Sequence, residues 1–233
     1  MKSRCKIISQ LLIVLGLASS TFAIAQTDSS TNTQEQVPTS KLRPDGGIHV
    51  RDNWYIEFAL YPAGDMKITT SGGSESTGLN DHRTSRFGAQ FGAGATVNSR
   101  LLFGGEISSF VVAEEKKFGG GKITGTVSVA NLMPMLTFFP MHEGLFLRGG
   151  VGLTNAKFEI KASGFGVNAT TDDSISGYGY LVGAGYAFWL GKGFNLSVKL
   201  DYNQQFYNDK IFSSDYKIKE IDVWMLGIGF HWY

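Results

Sequence analysis

The side chains that could do chemistry are few, and most stand apart from one another. Asp81, His82 and Ser85 supply the ingredients of a Ser-His hydrolytic pair, but that chemistry needs the base within hydrogen-bond reach of the nucleophile, and a short polar stretch does not impose it. The cluster reads as a solvated loop. His49, His82, His142 and His231 show no metal-ligand spacing, and Cys5 is the only cysteine, placed in a segment expected to be removed. The sequence therefore calls for no catalytic residue, no metal and no cofactor. Gly119-Gly120-Gly121-Lys122 is followed by Ile123 where a phosphate loop needs Ser or Thr, and Gly164-Phe165-Gly166-Val167-Asn168-Ala169 is a weak dinucleotide string with no strand–helix–strand unit around it; both read as turn or loop glycines. Asn168-Ala169-Thr170 is a glycosylation sequon by pattern only. One set remains: Glu57, Gln90, Glu106, Arg148, Lys199 and Asp201, which sit in otherwise small or polar positions of alternating stretches. In a confined space such charges must pair or line a path for ions or solutes.

The elements that would confine them are strands, because successive side chains of a strand point to opposite faces. Trp54, Ile56, Phe58 and Leu60 alternate with Tyr55, Glu57, Ala59 and Tyr61. The same dyad runs through Phe87–Val97, Leu101–Val111, Leu145–Thr154, Gly177–Phe188, Phe194–Asn203 and Trp224–Trp232, with one apolar face and one of Gly, Ser, Thr and Asn. The stretch Thr124–Phe139 departs from it: Val127 and Val129 hold one parity, Leu132, Leu136 and Phe138 the other, and Pro134 between them predicts a bulge. Seven connections separate these strands. Pro62–Ser85, Ala113–Ile123, Lys157–Ile175 and Tyr207–Lys217 are long and polar; Asn98–Arg100, Pro140–Gly144 and Gly191–Gly193 are short. Long connections alternating with short ones are the rhythm of an antiparallel up-and-down barrel across a bacterial outer membrane, with tight turns inside and long loops outside.

The remaining segments and the composition agree. Lys2, Arg4 and Lys6, the apolar run Ile7–Leu17 and Ala23-Ile24-Ala25 make residues 1–25 a cleaved signal peptide. Its removal takes three charges from 21 Lys+Arg, leaving 18 against 20 Asp+Glu, a balance that gives no reason to expect nucleic acid. Residues 26–50, rich in Ser, Thr, Gln and Asn, read as a flexible periplasmic extension. Residues 51–233 then form the barrel. Aromatics gather near the short turns (Trp54, Phe103, Phe138, Phe139, Phe146, Phe188, Trp189, Phe194, Trp232, Tyr233) and near the long loops (Tyr61, Phe87, Tyr178, Tyr180, Tyr202, Phe206, Tyr216, Trp224). Two such belts are what amphipathic rings at two bilayer interfaces produce. The fold class is all-β: an eight-stranded antiparallel transmembrane barrel, whose interior side chains nearly fill.

The glycine-aromatic strands Gly183-Ala184-Gly185-Tyr186 and Gly227-Ile228-Gly229-Phe230, the signal Ala23-Ile24-Ala25 and the aromatic end His231-Trp232-Tyr233 resemble the small eight-stranded outer-membrane β-barrels of Gram-negative bacteria, the OmpA/OmpX/OmpW type, over about residues 51–233. The resemblance implies the outer membrane as location, its lipids and lipopolysaccharide as partners, and a barrel-assembly machinery that reads a terminal signal, here Phe230, Trp232 and Tyr233. Some barrels of this kind modify lipid A with Ser and His near the outer rim, a role the Asp81/His82/Ser85 cluster does not support. The wall-anchoring role of two-domain relatives is not expected. The reading is a non-enzymatic barrel with a structural and surface-interaction role, its outer loops meeting a host or environmental ligand; the alternative is a narrow conduit for small or hydrophobic solutes, and a lipid A-modifying enzyme ranks behind both.

Overall fold

The computed structural model describes residues 54–76, 83–119, 121–141, 144–164, 167–191, 193–212 and 217–233. The segments 1–25 and 26–50, together with His49, Asp81, His82, His142 and Tyr216, lie outside those residues. The described residues form nine strands in chain order: β1 (Trp54–Thr70), β2 (Gly73–Ser76), β3 (Arg83–Asn98), β4 (Leu101–Phe118), β5 (Gly121–Phe138), β6 (Leu145–Gly164), β7 (Val167–Gly191), β8 (Phe194–Lys210) and β9 (Lys217–Trp232). Eight of them form a ring of antiparallel neighbours, β1-β3-β4-β5-β6-β7-β8-β9, and β9 closes back on β1 from Ile56↔Trp232 to Thr70↔Ile218. Closure gives the backbone groups partners that hydrocarbon could not supply. β2 is a short arm folded onto the outer part of β1, with Lys67 opposite Ser76.

The pleat sorts the side chains. Tyr55, Glu57, Ala59 and Tyr61 are buried, while Trp54 and Phe58 between them are exposed. Phe91, Ile107, Leu147, Val151, Leu200 and Leu226 continue an exposed apolar band around the ring, far more apolar surface than a water-soluble domain shows and what an acyl-chain environment requires. Three tight connections lie at the Trp54/Trp232 end. Gly144 and Gly193 serve two of them at φ 74° and 69°, a left-handed backbone that glycine adopts without steric cost.

Three expectations are corrected. The long connections are largely strand: β6 and β7 run for 20 and 25 residues and pair as far as Gly164↔Val167, where about 9–11 residues suffice to cross a bilayer. Beyond the membrane both faces of a hairpin meet water, so the alternation that marks a strand fades from the sequence while the ladder continues. The bulge at Pro134 is not there. β5 keeps one register along β4, with Pro134 opposite Gly105, and Val127 and Val129 point inward because the outer half of the interior is itself apolar. The register shift that does involve a proline lies between Leu60 and Ala63 of β1, around Pro62. Finally, Phe139, Phe146, Trp189 and Tyr61 are not belt residues; all four are buried inside the ring.

Candidate functional site

Inward positions of five strands meet near the middle of the barrel. Register sets this up. Arg148 of β6 lies opposite Gly183 of β7, and Gly183 lies opposite Asp201 of β8, so the guanidinium reaches its carboxylate across a residue with no side chain. A Cβ on Gly183 would stand 3.0 Å from Arg148 Cγ and from Asp201 Cγ. Glu57 comes from β1, Gln90 from β3 and Glu106 from β4, and Glu57 pairs with His231 of β9.

Arg148 is the hub. Its Nη1 donates to Glu57 Oε1 at 3.1 Å and to Gln90 Oε1 at 3.4 Å, its Nη2 donates to Glu106 Oε2, and its Nε lies 3.4 Å from Asp201 Oδ1. Lys199 Nζ donates to Glu57 Oε1 and to Gln90 Oε1 and stands 5.3 Å from the centroid of the Tyr61 ring. Gln90 turns its Nε2 to Glu106 Oε2 at 2.9 Å, and the Tyr61 hydroxyl reaches Asp201 Oδ2 and Gln90 Oε1. Sequence reasoning placed the six charged and amide residues in the interior; it missed Tyr61, whose ring packs like a core residue while its hydroxyl joins the ions.

Above and below this tier the interior is also filled. One step outward Gln205 Nε2 donates to Asn131 Oδ1 at 3.0 Å and to Asn203 Oδ1 at 2.7 Å, and the Tyr207 hydroxyl donates to Gln205 Oε1 at 2.6 Å. Beyond that Phe110, Val129 and Phe158 make an apolar layer, continuous with Met133 and Met225 opposite Glu106 and Asp201 and with Ile221 opposite Gln205, which the glycine-rich look of the inward faces had hidden. At the inner end Tyr55, Leu102, Phe139, Phe146 and Ala187 form a second apolar cluster, with Phe139 and Phe146 rings 5.6 Å apart. At the opposite, outer mouth a cavity of about 430 Å³ opens above the apolar layer.

A Ser-His contact invisible in residue order joins Ser197 Oγ to His231 Nε2 at 2.9 Å. Glu57 Oε1 lies 3.8 Å from that same Nε2. A hydrolytic relay uses the two ring nitrogens for different partners, whereas here Ser197 and Glu57 both face Nε2. Among the described residues no group of three or more His, Cys, Asp or Glu is set to hold a metal ion.

The sequence profile of the family described as "Outer membrane protein beta-barrel domain" matches residues 63–232. The chain belongs to that family. The match spans β3 to β9 and so includes Gln90, Glu106, Arg148, Lys199 and Asp201; an outer membrane beta-barrel protein is what the closed ring and its exposed apolar band describe physically. No curated protein matches the chain. Among solved structures it is similar to Ail, the attachment invasion locus protein of Yersinia pestis, at 16% identity over 78% of this chain and 100% of that one, TM-score 0.49. It is also similar to neisserial surface protein A at 16% identity over 77% and 96%, TM-score 0.38. The outer membrane protein OprG of Pseudomonas aeruginosa follows at 14% over 79% and 98%, TM-score 0.37. Of the terminal residues, Trp232 is exposed on the lipid side of this outer membrane barrel, whereas the Tyr233 ring lies at the inner end, 6.4 Å from Tyr55 and 5.8 Å from Trp189.

Proposed function

We propose that this outer-membrane barrel is a sealed, non-enzymatic body that carries tall β-hairpins beyond the membrane and acts through them, as a structural and surface-interaction protein of the envelope. The observation that supports it is the filled lumen. Lys199, Asp201 and Asn203 at mid-barrel are 1%, 0% and 0% exposed, with apolar layers at both ends of the ionic tier. A filled eight-stranded interior offers no continuous water path, which counts against the narrow conduit. What remains accessible is the lipid-facing band and the hairpins, and on a rigid barrel function gathers at such outer connections. Lipids and lipopolysaccharide are the partners of the band; a host or environmental ligand is the partner of the hairpins; Phe230, Trp232 and Tyr233 are proposed as the signal read during assembly.

The test uses three strains: intact, deleted for the protein, and carrying the barrel with the β4–β5 and β6–β7 hairpins shortened to their membrane ends. Surface adhesion and serum survival should fall in both altered strains, and envelope permeability should rise only in the deletion. If the shortened barrel behaves like the intact one in every assay, or if the purified protein conducts ions in a planar bilayer, the proposal fails.

A further inference from the structure

The outer mouth holds a cavity that neither the plug nor the hairpins explain. Its walls are Ile68 of β1, Val112 of β4, Val127 of β5, Phe158 of β6 and Ile218 of β9, and at about 430 Å³ it falls in the size range of small-molecule sites. Ile211 and Phe212, just after β8, fold over one side and pack against the buried apolar layer. Phe212 holds that position at φ 49°, a conformation costly for a bulky residue. It is pinned there by its own backbone N–H, which donates to Asp173 Oδ2 at 2.7 Å. A strained, anchored turn over an apolar hollow is a built feature rather than a loose loop end.

The hollow has one charged wall. Glu114 occupies the inward parity of β4 two residues beyond Val112, and it makes no ion pair among the described residues. Its cross-strand neighbours are Thr84 on β3 and, on β5, Gly125, which also lines the cavity and where an added Cβ would meet no atom within 4 Å. Space is therefore left open at Gly125, the β5 position that faces Glu114 in register. The second acid of the lining, Glu159, is taken up by Lys161 at 2.6 Å, and Arg86, opposite Val112, is bonded to Gly64 O at 2.9 Å and faces Asp65 at 3.4 Å. We propose that the outer mouth binds a small amphipathic cation, an apolar body of aromatic or branched-alkyl type carrying an ammonium group, with the body between Val112, Val127 and Phe158 and the ammonium against Glu114 beside Gly125.

This goes beyond the surface role proposed above and does not depend on it. Binding is measured by equilibrium dialysis and saturation-transfer NMR on the full chain in lipid nanodiscs, with empty nanodiscs subtracted. The probes are 4-tert-butylbenzylamine, the isosteric 4-tert-butylbenzyl alcohol and 4-tert-butylbenzoate. A charge-assisted contact to one carboxylate should favour the amine over the alcohol by about tenfold. Glu114→Gln should shrink that preference to roughly threefold or less while leaving alcohol binding in place, since a neutral acceptor remains. Val127→Trp should abolish binding of all three by filling the hollow. Because that variant could fail to fold, its heat-dependent gel mobility is checked first, and the near-isosteric Glu114→Gln tests the charged contact whether or not Val127→Trp folds. Binding no greater than to empty nanodiscs overturns the proposal, as does a preference for the benzoate or an amine preference unchanged in Glu114→Gln. A conductance found in bilayers would count against the sealed-body reading without touching this one.

Discussion

Arg148 touches three carboxylates, so its loss cannot be absorbed by one rearrangement. Arg148→Met keeps much of the stem but leaves Glu57, Glu106 and Asp201 buried with Lys199, and His231 when protonated, for compensation, and breaking a buried ion pair from one side costs about 3–5 kcal/mol. Denaturant unfolding of the protein in lipid vesicles, followed by tryptophan fluorescence, should show that loss. The double variant Arg148→Met/Glu106→Gln should recover part of it, since one of the stranded charges is removed. Tyr61→Phe is a milder case. Its ring stays in the core and only the hydroxyl contact to Asp201 and Gln90 goes, so a cost of about 1 kcal/mol is expected in the same assay.

Strand-scale geometry sets where side chains are forbidden as well as where they are needed. Gly183 on β7 separates Arg148 on β6 from Asp201 on β8, and Gly183→Val should act as a plug mutation even though it adds no charge. Its folded yield in vesicles, read by gel mobility with and without boiling, should fall well below that of Gly191→Val, since an added Cβ at Gly191 meets no atom within 4 Å. At the hairpin formed by β4 and β5, Glu115 lies opposite Thr124 and diagonally from Lys122, whose ammonium bonds it at 3.2 Å, and that bond holds the Glu115 carboxyl below its ordinary value. A depressed carboxyl pKa supports the folded hairpin above the ordinary carboxylate range and loses that support as pH falls through the folded value. Amide exchange at the hairpin tip should therefore quicken on acidification, relative to the intrinsic rate, and Glu115→Gln should remove the pH-dependent part.

For the molecule as a whole, the interior is packed at several levels, and on the sealed-body proposal opening one of them should not make a pore. The inner aromatic cluster and the outer apolar layer remain when the ionic tier is altered, so a folded Glu57→Ala/Arg148→Ala barrel should still show no conductance in planar bilayers; a steady ion current from it would mean the ionic tier alone keeps the lumen shut. The strand number, the inward parity of Glu57, Gln90, Glu106, Arg148, Lys199 and Asp201 and the lipid-facing band were legible in the sequence, because a period of two and a membrane on one face write themselves directly into residue order. Hairpin height was not legible, since above the bilayer both faces meet water and the alternation disappears. Nor was the interior placement of Phe139, Phe146 and Trp189, because near a turn an aromatic suits an interface or a lumen equally by type. The sequence by itself thus determined the ring and, outside β5 and the aromatics beside the turns, which side of it the membrane-spanning residues face. Only the tertiary structure decided which inward residues touch: Arg148 meets Glu57 and Glu106 from 91 and 42 residues away because the closing register and stagger of all eight strands bring them to one height, and no local pattern encodes that height.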